Sequence, residues 1–196
     1  ADLYAMLRSM LAAGCSEAVM EVSSHGIHQS RVNGLSMEVA AFLNLSRDHL
    51  DYHGTMEDYF SEKRRIFNGN NGSLPKVAVI NGDCPFGKRL LEEIPTQVRS
   101  ITFGEDPKSD FRVRDISLSP EGTEFVLDCP EGSIVTRSSM LGRYNVMNIA
   151  ASLAIVYAMG FSVSKVVHKV GTFNGVDGRM EPIERGQPYK VLVDYA

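Results

Sequence analysis

Short apolar runs alternate along this chain with stretches in which apolar residues recur at helical spacing. Residues 2–13 place Leu3, Met6, Leu7, Met10 and Leu11 on one helical face, and Gly14 follows as the kind of stop a helix C-terminus favours. Residues 18–22 and 39–43 are apolar runs of strand length, each running into polar residues. In residues 55–67 the helical period returns, with Met56, Tyr59, Phe60, Ile66 and Phe67 on one face and Thr55 with Asp58 as an N-terminal box. Residues 76–80 predict a strand, 86–94 a helix and 98–103 a strand. Alternation of this kind predicts the α/β class, a mostly parallel sheet flanked by helices.

Near Asp110 the period drops to two. Phe111-Arg112-Val113-Arg114 and Phe125-Val126-Leu127, with turn signals at Pro120-Glu121-Gly122 and Pro130-Glu131-Gly132, predict a small antiparallel excursion of about three strands. Helices are predicted again at 145–159 and 164–170, then strands at 180–184 and 189–193. Because ligands of parallel α/β sheets bind beyond the carboxyl ends of strands, the loops starting at Ser23 and Asn44 are expected to share one crevice.

Lys63 breaks the apolar face of residues 55–67, while Glu57, Asp58, Glu62, Arg64 and Arg65 take the water side. A lysine pressed toward a core loses hydration, which favours its neutral amine. Two readings stand: the side chain snorkels to water, or the amine reacts with carbon dioxide to give a carbamate that behaves as an added carboxylate. Glu21 and His49, at the two predicted strand ends, could give oxygen and nitrogen ligands to a divalent metal, Mg²⁺ where phosphate is handled. His49 and His53 are spaced as zinc ligands on a helix are, but the residues between them and Gly54 read as loop.

With 196 residues and 43% hydrophobic content, the chain can bury one substantial core. A net charge of −4 argues against a nucleic-acid partner held by a broad basic surface, and the apolar runs are too short to cross a bilayer. Three widely spaced cysteines, Cys15, Cys84 and Cys129, suit a reducing compartment, so a cytoplasmic protein is expected. A monomer is also expected. The chain starts at Ala1, not Met, directly before a predicted helix and stops just after a predicted strand, so a fragment of a longer enzyme is expected.

Three further segments carry polar chemistry. Gly82 to Lys88 matches G-x-x-x-x-G-K, but Arg89 stands where a Mg²⁺-binding Ser or Thr belongs, Asp83 puts a negative charge in the anion cradle and Pro85 removes an N–H. In Gly142-Arg143-Tyr144-Asn145-Val146-Met147-Asn148, Asn145 is the expected helix cap, and Asn145 and Asn148 could together read the edge of a base such as adenine. Arg179, after Gly175-Val176-Asp177-Gly178, could contact phosphate or ribose or pair with a surface acid, and Asp194 at a strand end would suit a ribose.

Taken together these segments resemble a family. Met20-Glu21-Val22-Ser23-Ser24-His25-Gly26 with Gln29 and Arg31, and Asn44-Leu45-Ser46-Arg47-Asp48-His49-Leu50-Asp51-Tyr52-His53-Gly54, closely resemble the Mur ligases, specifically the MurE type. Gly142 to Asn148, Asp177-Gly178-Arg179 and Val193-Asp194-Tyr195-Ala196 match further motifs in the same order. The resemblance implies ATP-dependent addition of an amino acid, lysine or meso-diaminopimelate, to UDP-N-acetylmuramoyl-L-alanyl-D-glutamate through an acyl phosphate. It further implies that Glu21, His49 and a carbamylated Lys63 hold Mg²⁺, that Lys63 and His49 are catalytic, and that Ser23, Gln29 and Arg31 hold the nucleotide-sugar dipeptide. Asn145 and Asn148 would face adenine, and Arg179 and Asp194 the ribose and phosphates. The family's G-T-N-G-K-T phosphate loop and its C-terminal amino-acid-binding domain have no counterpart in residues 1–196, nor does its N-terminal UDP-binding domain. The expectation is therefore a central ATP-binding domain without its first strand, inactive in isolation. Related amide ligases of muropeptide recycling, folate or cyanophycin metabolism, a non-catalytic nucleotide-sugar binding module, and a metal-dependent hydrolase using His49, Asp51 and His53 are the competing readings.

Overall fold

A computed structural model describes residues 2–183 and 185–195. In chain order the elements are α1 (Asp2–Ala12), α2 (Ser24–His28), β1 (Val39–Phe42), α3 (Leu50–His53), α4 (Met56–Arg64), β2 (Val77–Asn81), α5 (Pro85–Glu93) and β3 (Arg99–Gly104). There follow β4 (Phe111–Ser119), β5 (Gly122–Cys129), β6 (Gly132–Ser138), α6 (Arg143–Ala158), α7 (Val163–Val166), α8 (His168–Thr172), β7 (Glu181–Pro182) and β8 (Leu192–Val193). The strand end at Glu184 and the motif end at Ala196 lie outside the described residues.

Strands β1 to β6 form one sheet in sequence order, and β7 pairs with β8 in a separate two-stranded antiparallel sheet. Helices join β1 to β2 and β2 to β3, the crossover that parallel neighbours require, and β3 runs parallel to β4. From β4 the ladder turns antiparallel through β5 to β6, as the two-residue period predicts. The chain divides into two compact units, residues 1–40, 44–78 and 84–100, and residues 41–43, 79–83 and 101–196.

In the first unit, α4 supplies the core with Tyr59 and Phe60, and Ile66 and Phe67 are buried in the turn after it. Thr55 caps α4 by accepting the Asp58 N–H at 3.1 Å. The Phe60 ring lies 5.1 Å from Phe86, and Arg89 lies 4.8 Å from the same ring while bonding Glu57 at 2.6 Å and Glu93 at 2.7 Å. The buried Asn71 side chain donates to the Val32 carbonyl at 2.8 Å, and its backbone carbonyl takes the Gly34 N–H at 2.7 Å, which fixes the loop after α2.

One expectation fails in this unit. Residues 18–22 form no strand, and Val19 is 98% exposed. A strand exists only through a neighbour's hydrogen bonds, and no described residue pairs with this segment. Helix α1 forms as the spacing predicts, tied by the Tyr4 hydroxyl to the Asn33 carbonyl, but none of its residues is buried and Leu11 is 72% exposed.

The second unit packs α6 against the meander. Val146, Ile149, Ala150, Leu153 and Ala154 recur at helical spacing and are buried, as are Phe111, Val113, Phe125 and Leu127 on alternating positions of β4 and β5. The helix predicted over 164–170 is instead two short ones, α7 and α8, meeting at Val167. Glu131, in the turn between β5 and β6, accepts the N–H groups of Val163 at 2.8 Å and Ser164 at 3.0 Å and the Ser162 hydroxyl at 3.0 Å. It thereby caps α7, whose own N-cap Ser162 makes no side-chain cap bond. The N–H groups of Ser164 and then Val163 hold the Glu131 carboxyl down at about 2. A depressed folded-state value means stability that is complete above the ordinary glutamate range and is lost as pH falls toward about 2. Glu131→Ala should lower the melting temperature at pH 7 and shrink the loss of stability between neutrality and strong acid, measured by thermal denaturation across pH.

Candidate functional site

In the first unit, α2, α3 and α4 bring the two polar loops together. Ser23 caps α2 by accepting the Gly26 N–H at 3.1 Å, and Gln29 and Arg31 follow on the exposed turn after it. His49 takes a left-handed backbone with φ 55°, supported by its N–H bond to Asp48 at 2.8 Å, and Gly54 with φ 76° ends α3. The segment read as loop is therefore one turn of helix, made possible by a left-handed residue at each end. Nε2 of His49 lies 3.5 Å from the Asp48 carboxylate.

The His49 ring meets His25 edge-on at 5.0 Å. Nε2 of His53 lies 2.9 Å from the buried Ser24 hydroxyl, and its ring stacks on Tyr59 at 4.9 Å. The Tyr52 hydroxyl and Nδ1 of His28 are 2.6 Å apart. Burial first, and then the charge of His25, pull the His53 imidazole below its ordinary value. A cleft of about 240 Å³ beside this cluster is lined by His28, Tyr52, His53, Asp58, Ser61 and Glu62. The shared crevice was legible in the sequence. The roles of His25, His28, Tyr52 and Tyr59 were not, since only the H-x-x-H spacing of His25 and His28 hinted at a cluster.

Lys63 extends over the Tyr59 ring, with Nζ 5.5 Å from its centroid. It is half-buried, and burial lowers its pKa while the Glu21 carboxylate pulls the other way. The same Tyr59 ring lies 5.9 Å from His49, so Tyr59 touches both. Glu21 is not at a strand end, since 18–22 is not a strand; it is exposed, on a segment without regular secondary structure. Among the described residues no three His, Cys, Asp or Glu side chains are grouped to hold a metal ion.

The other candidates lie in the second unit. The cap of α6 is Gly142, with φ 91°, rather than Asn145. Asn145 sits inside the first turn and donates to the Leu141 carbonyl at 2.8 Å, because a helix with a glycine cap leaves a preceding carbonyl within its reach. Asn148 is exposed, 3.4 Å from the Asn145 oxygen. Arg179 donates to the Tyr195 carbonyl at 2.9 Å, and Asp194 accepts the Met180 N–H at 3.3 Å.

The G-x-x-x-x-G-K segment is not an open anion cradle. The Asp83 carboxylate takes the N–H groups of Glu105 at 2.7 Å and Asp106 at 3.0 Å, so an acid of the chain fills the nest beside Gly104. Lys88→Ala should leave adenine-nucleotide affinity unchanged in isothermal titration; a loss of about tenfold, ~1.4 kcal/mol, would make this segment a nucleotide site.

Residues 1–156 match the family described as the Mur ligase middle domain. A UDP-N-acetylmuramoyl-L-alanyl-D-glutamate--2,6-diaminopimelate ligase of Listeria monocytogenes serovar 1/2a is 40% identical over 198 residues, 99% of this chain and 40% of that protein. The enzyme of the same name from Synechococcus elongatus is 41% identical over 197 residues, 100% of this chain and 39% of that protein. A solved structure of a ligase of this name superposes with a TM-score of 0.78 at 38% identity, covering 90% of this chain and 36% of the other. This chain thus spans 40% and 39% of the length of the two curated relatives.

Proposed function

The chain belongs to the Mur ligase family, and we propose that it is the central ATP-binding domain of a MurE-type ligase. The proposed reaction phosphorylates the D-glutamate carboxylate of UDP-N-acetylmuramoyl-L-alanyl-D-glutamate with ATP. The amine of an amino acid then attacks the acyl phosphate and releases phosphate. Diaminopimelate, in the names of the relatives, is the proposed amino acid. The observation that carries this reading is the placing of Lys63 over the Tyr59 ring that His49 also meets, within reach of the Glu21 charge.

Phosphoryl transfer between anions needs alignment and charge neutralisation more than covalent help. The donor set fits Mg²⁺ when Lys63 is a carbamate: Glu21, His49 and the carbamate then offer two acidic oxygen groups and one imidazole. The half-burial of Lys63 favours the neutral amine from which a carbamate forms. When bound there, Mg²⁺ neutralises phosphate oxygens beside the carboxylate. Tyr59 orients both Lys63 and His49 through its ring. Ser23 accepts one N–H with its oxygen and keeps its O–H to donate to the substrate, beside Gln29 and Arg31. Asn148, whose amide also donates to the Asn145 oxygen, is exposed to offer its own oxygen and remaining N–H to adenine, and Arg179 and Asp194 serve phosphate and ribose.

The test is a chimera in which this chain replaces the matching stretch of the Listeria monocytogenes ligase. Attachment of diaminopimelate to the nucleotide-sugar dipeptide, dependent on ATP, is expected; a folded chimera that makes no product sinks the reading. Lys63→Ala in that chimera should lower kcat by about 100-fold or more, with Lys63→Arg no better, since an arginine keeps the charge but forms no carbamate. Carbon-13 NMR in labelled bicarbonate should show a carbamate carbon that both variants lack.

A further inference from the structure

Five asparagines are followed by glycine: Asn33, Asn68, Asn71, Asn81 and Asn174. In such a pair the backbone nitrogen of the glycine can attack the side-chain amide carbon of the asparagine, and a residue without Cβ hinders that approach least. A glycine N–H already held in a hydrogen bond reacts only after the chain opens locally. The fold therefore decides which of the five pairs is reactive.

Four pairs are held. The Gly34 N–H is bonded to the Asn71 carbonyl at 2.7 Å, that of Gly72 to the Gly69 carbonyl at 2.9 Å, and that of Gly82 to the Phe103 carbonyl at 2.8 Å. Asn71 is also buried, with its amide on the Val32 carbonyl, and the Asn81 oxygen accepts the Asp83 N–H at 2.9 Å. At Asn68 the side chain is tied instead, its oxygen accepting the Asn70 N–H at 3.0 Å on the half-buried turn after α4. The Asp177-Gly178 pair is open to the same ring closure through its carboxyl group. There the glycine N–H is taken by the Glu181 carboxylate at 2.8 Å.

Asn174-Gly175 has none of these restraints. Asn174 is exposed and outside any helix or strand, one residue past the Phe173 that ends α8. Among the described residues neither its side chain nor the Gly175 N–H has a hydrogen-bond partner. The backbone around Gly175 is uncrowded, since a Cβ built there would meet nothing nearer than Cγ of Met140 at 3.9 Å. On either side the chain is anchored: the Phe173 carbonyl accepts the Ser139 hydroxyl at 3.2 Å, and the Val176 carbonyl accepts the Arg179 N–H at 3.0 Å.

We infer that Asn174 is a site of spontaneous deamidation, selected by the fold from the five Asn-Gly pairs. The Gly175 nitrogen bonds to Cγ of Asn174 while the Cγ–Nδ2 bond breaks. The side-chain nitrogen leaves as ammonia, carrying the proton that the Gly175 N–H gives up, and a cyclic imide remains. Solvent water then adds to either imide carbonyl and breaks its bond to nitrogen, which regains a proton, so aspartate or isoaspartate results. Both products place a carboxylate just before the turn that carries Arg179. Isoaspartate also inserts a methylene into the main chain between the anchors at Phe173 and Val176.

The experiment ages the 196-residue chain in warm, mildly alkaline buffer and digests samples at acidic pH, where the reaction is slow. Mass spectrometry follows each Asn-Gly peptide, and an isoaspartyl methyltransferase marks isoaspartate. In the folded chain Asn174 should convert roughly tenfold or more faster than any of the other four, whose reaction waits on local opening. In guanidinium the five should convert at comparable rates. Asn174→Gln should remove the earliest acidic species on isoelectric focusing and leave the melting temperature unchanged, because glutamine closes the ring far more slowly. The inference is overturned if Asn174 stays intact in the folded chain while it converts in guanidinium. It is equally overturned if another pair keeps pace with Asn174 in the folded chain, or if folding changes none of the five rates.

Discussion

Tyr59 must hide its ring and still satisfy its hydroxyl, and much of the first unit follows from that demand. A buried phenol needs a polar partner, and here the partner is the hydroxyl of buried Ser24. Ser24 in turn meets Nε2 of His53, whose ring closes the circuit by stacking on Tyr59. The same ring serves as the surface over which Lys63 extends and against which His49 stands. One side chain of α4 thus couples the helix carrying Lys63 to the loops carrying Ser23 and His49. Burial lifts the Tyr59 phenol above its ordinary value, aided by the charge of Asp48, so it stays a neutral donor at physiological pH.

The second unit meets its polar demands from turns. Glu131 leaves a hairpin to cap α7, and Asn145 turns back to a carbonyl ahead of α6. Glu131 thereby completes a helix N-terminus whose N–H groups the helix itself leaves open, while Asn145, inside the first turn of α6, ties that turn to the chain before it. The site candidates divide along the same line, with Glu21, Ser23, Gln29, Arg31, His49 and Lys63 in one unit and Asn145, Asn148, Arg179 and Asp194 in the other.

What the sequence revealed was whatever rests on local period and turn chemistry. Met56, Tyr59 and Phe60 with the Thr55 cap announced α4, and the two Pro-Glu-Gly turns announced the meander. The unusual standing of Lys63 was also readable, because a charge inside an apolar stripe is a local anomaly. What failed was two-body. Residues 18–22 have strand composition, but composition supplies no partner for a backbone N–H. The histidine and tyrosine cluster joins side chains 24 and 29 positions apart, as in His28 with Tyr52 and Ser24 with His53, which no period encodes. The α6 cap was misplaced onto Asn145 because asparagine is the commoner cap, whereas the structure places a left-handed glycine there.

The nest that Asp83 fills has a meaning beyond the failed motif. A turn whose backbone N–H groups point inward ordinarily waits for a solute to complete it, and its folding then rises and falls with the supply of that solute. With its counter-anion written into the chain, this turn needs no anion from solution. It is a lock delivered with its key already turned, and phosphate in the surroundings has no vacancy there to compete for.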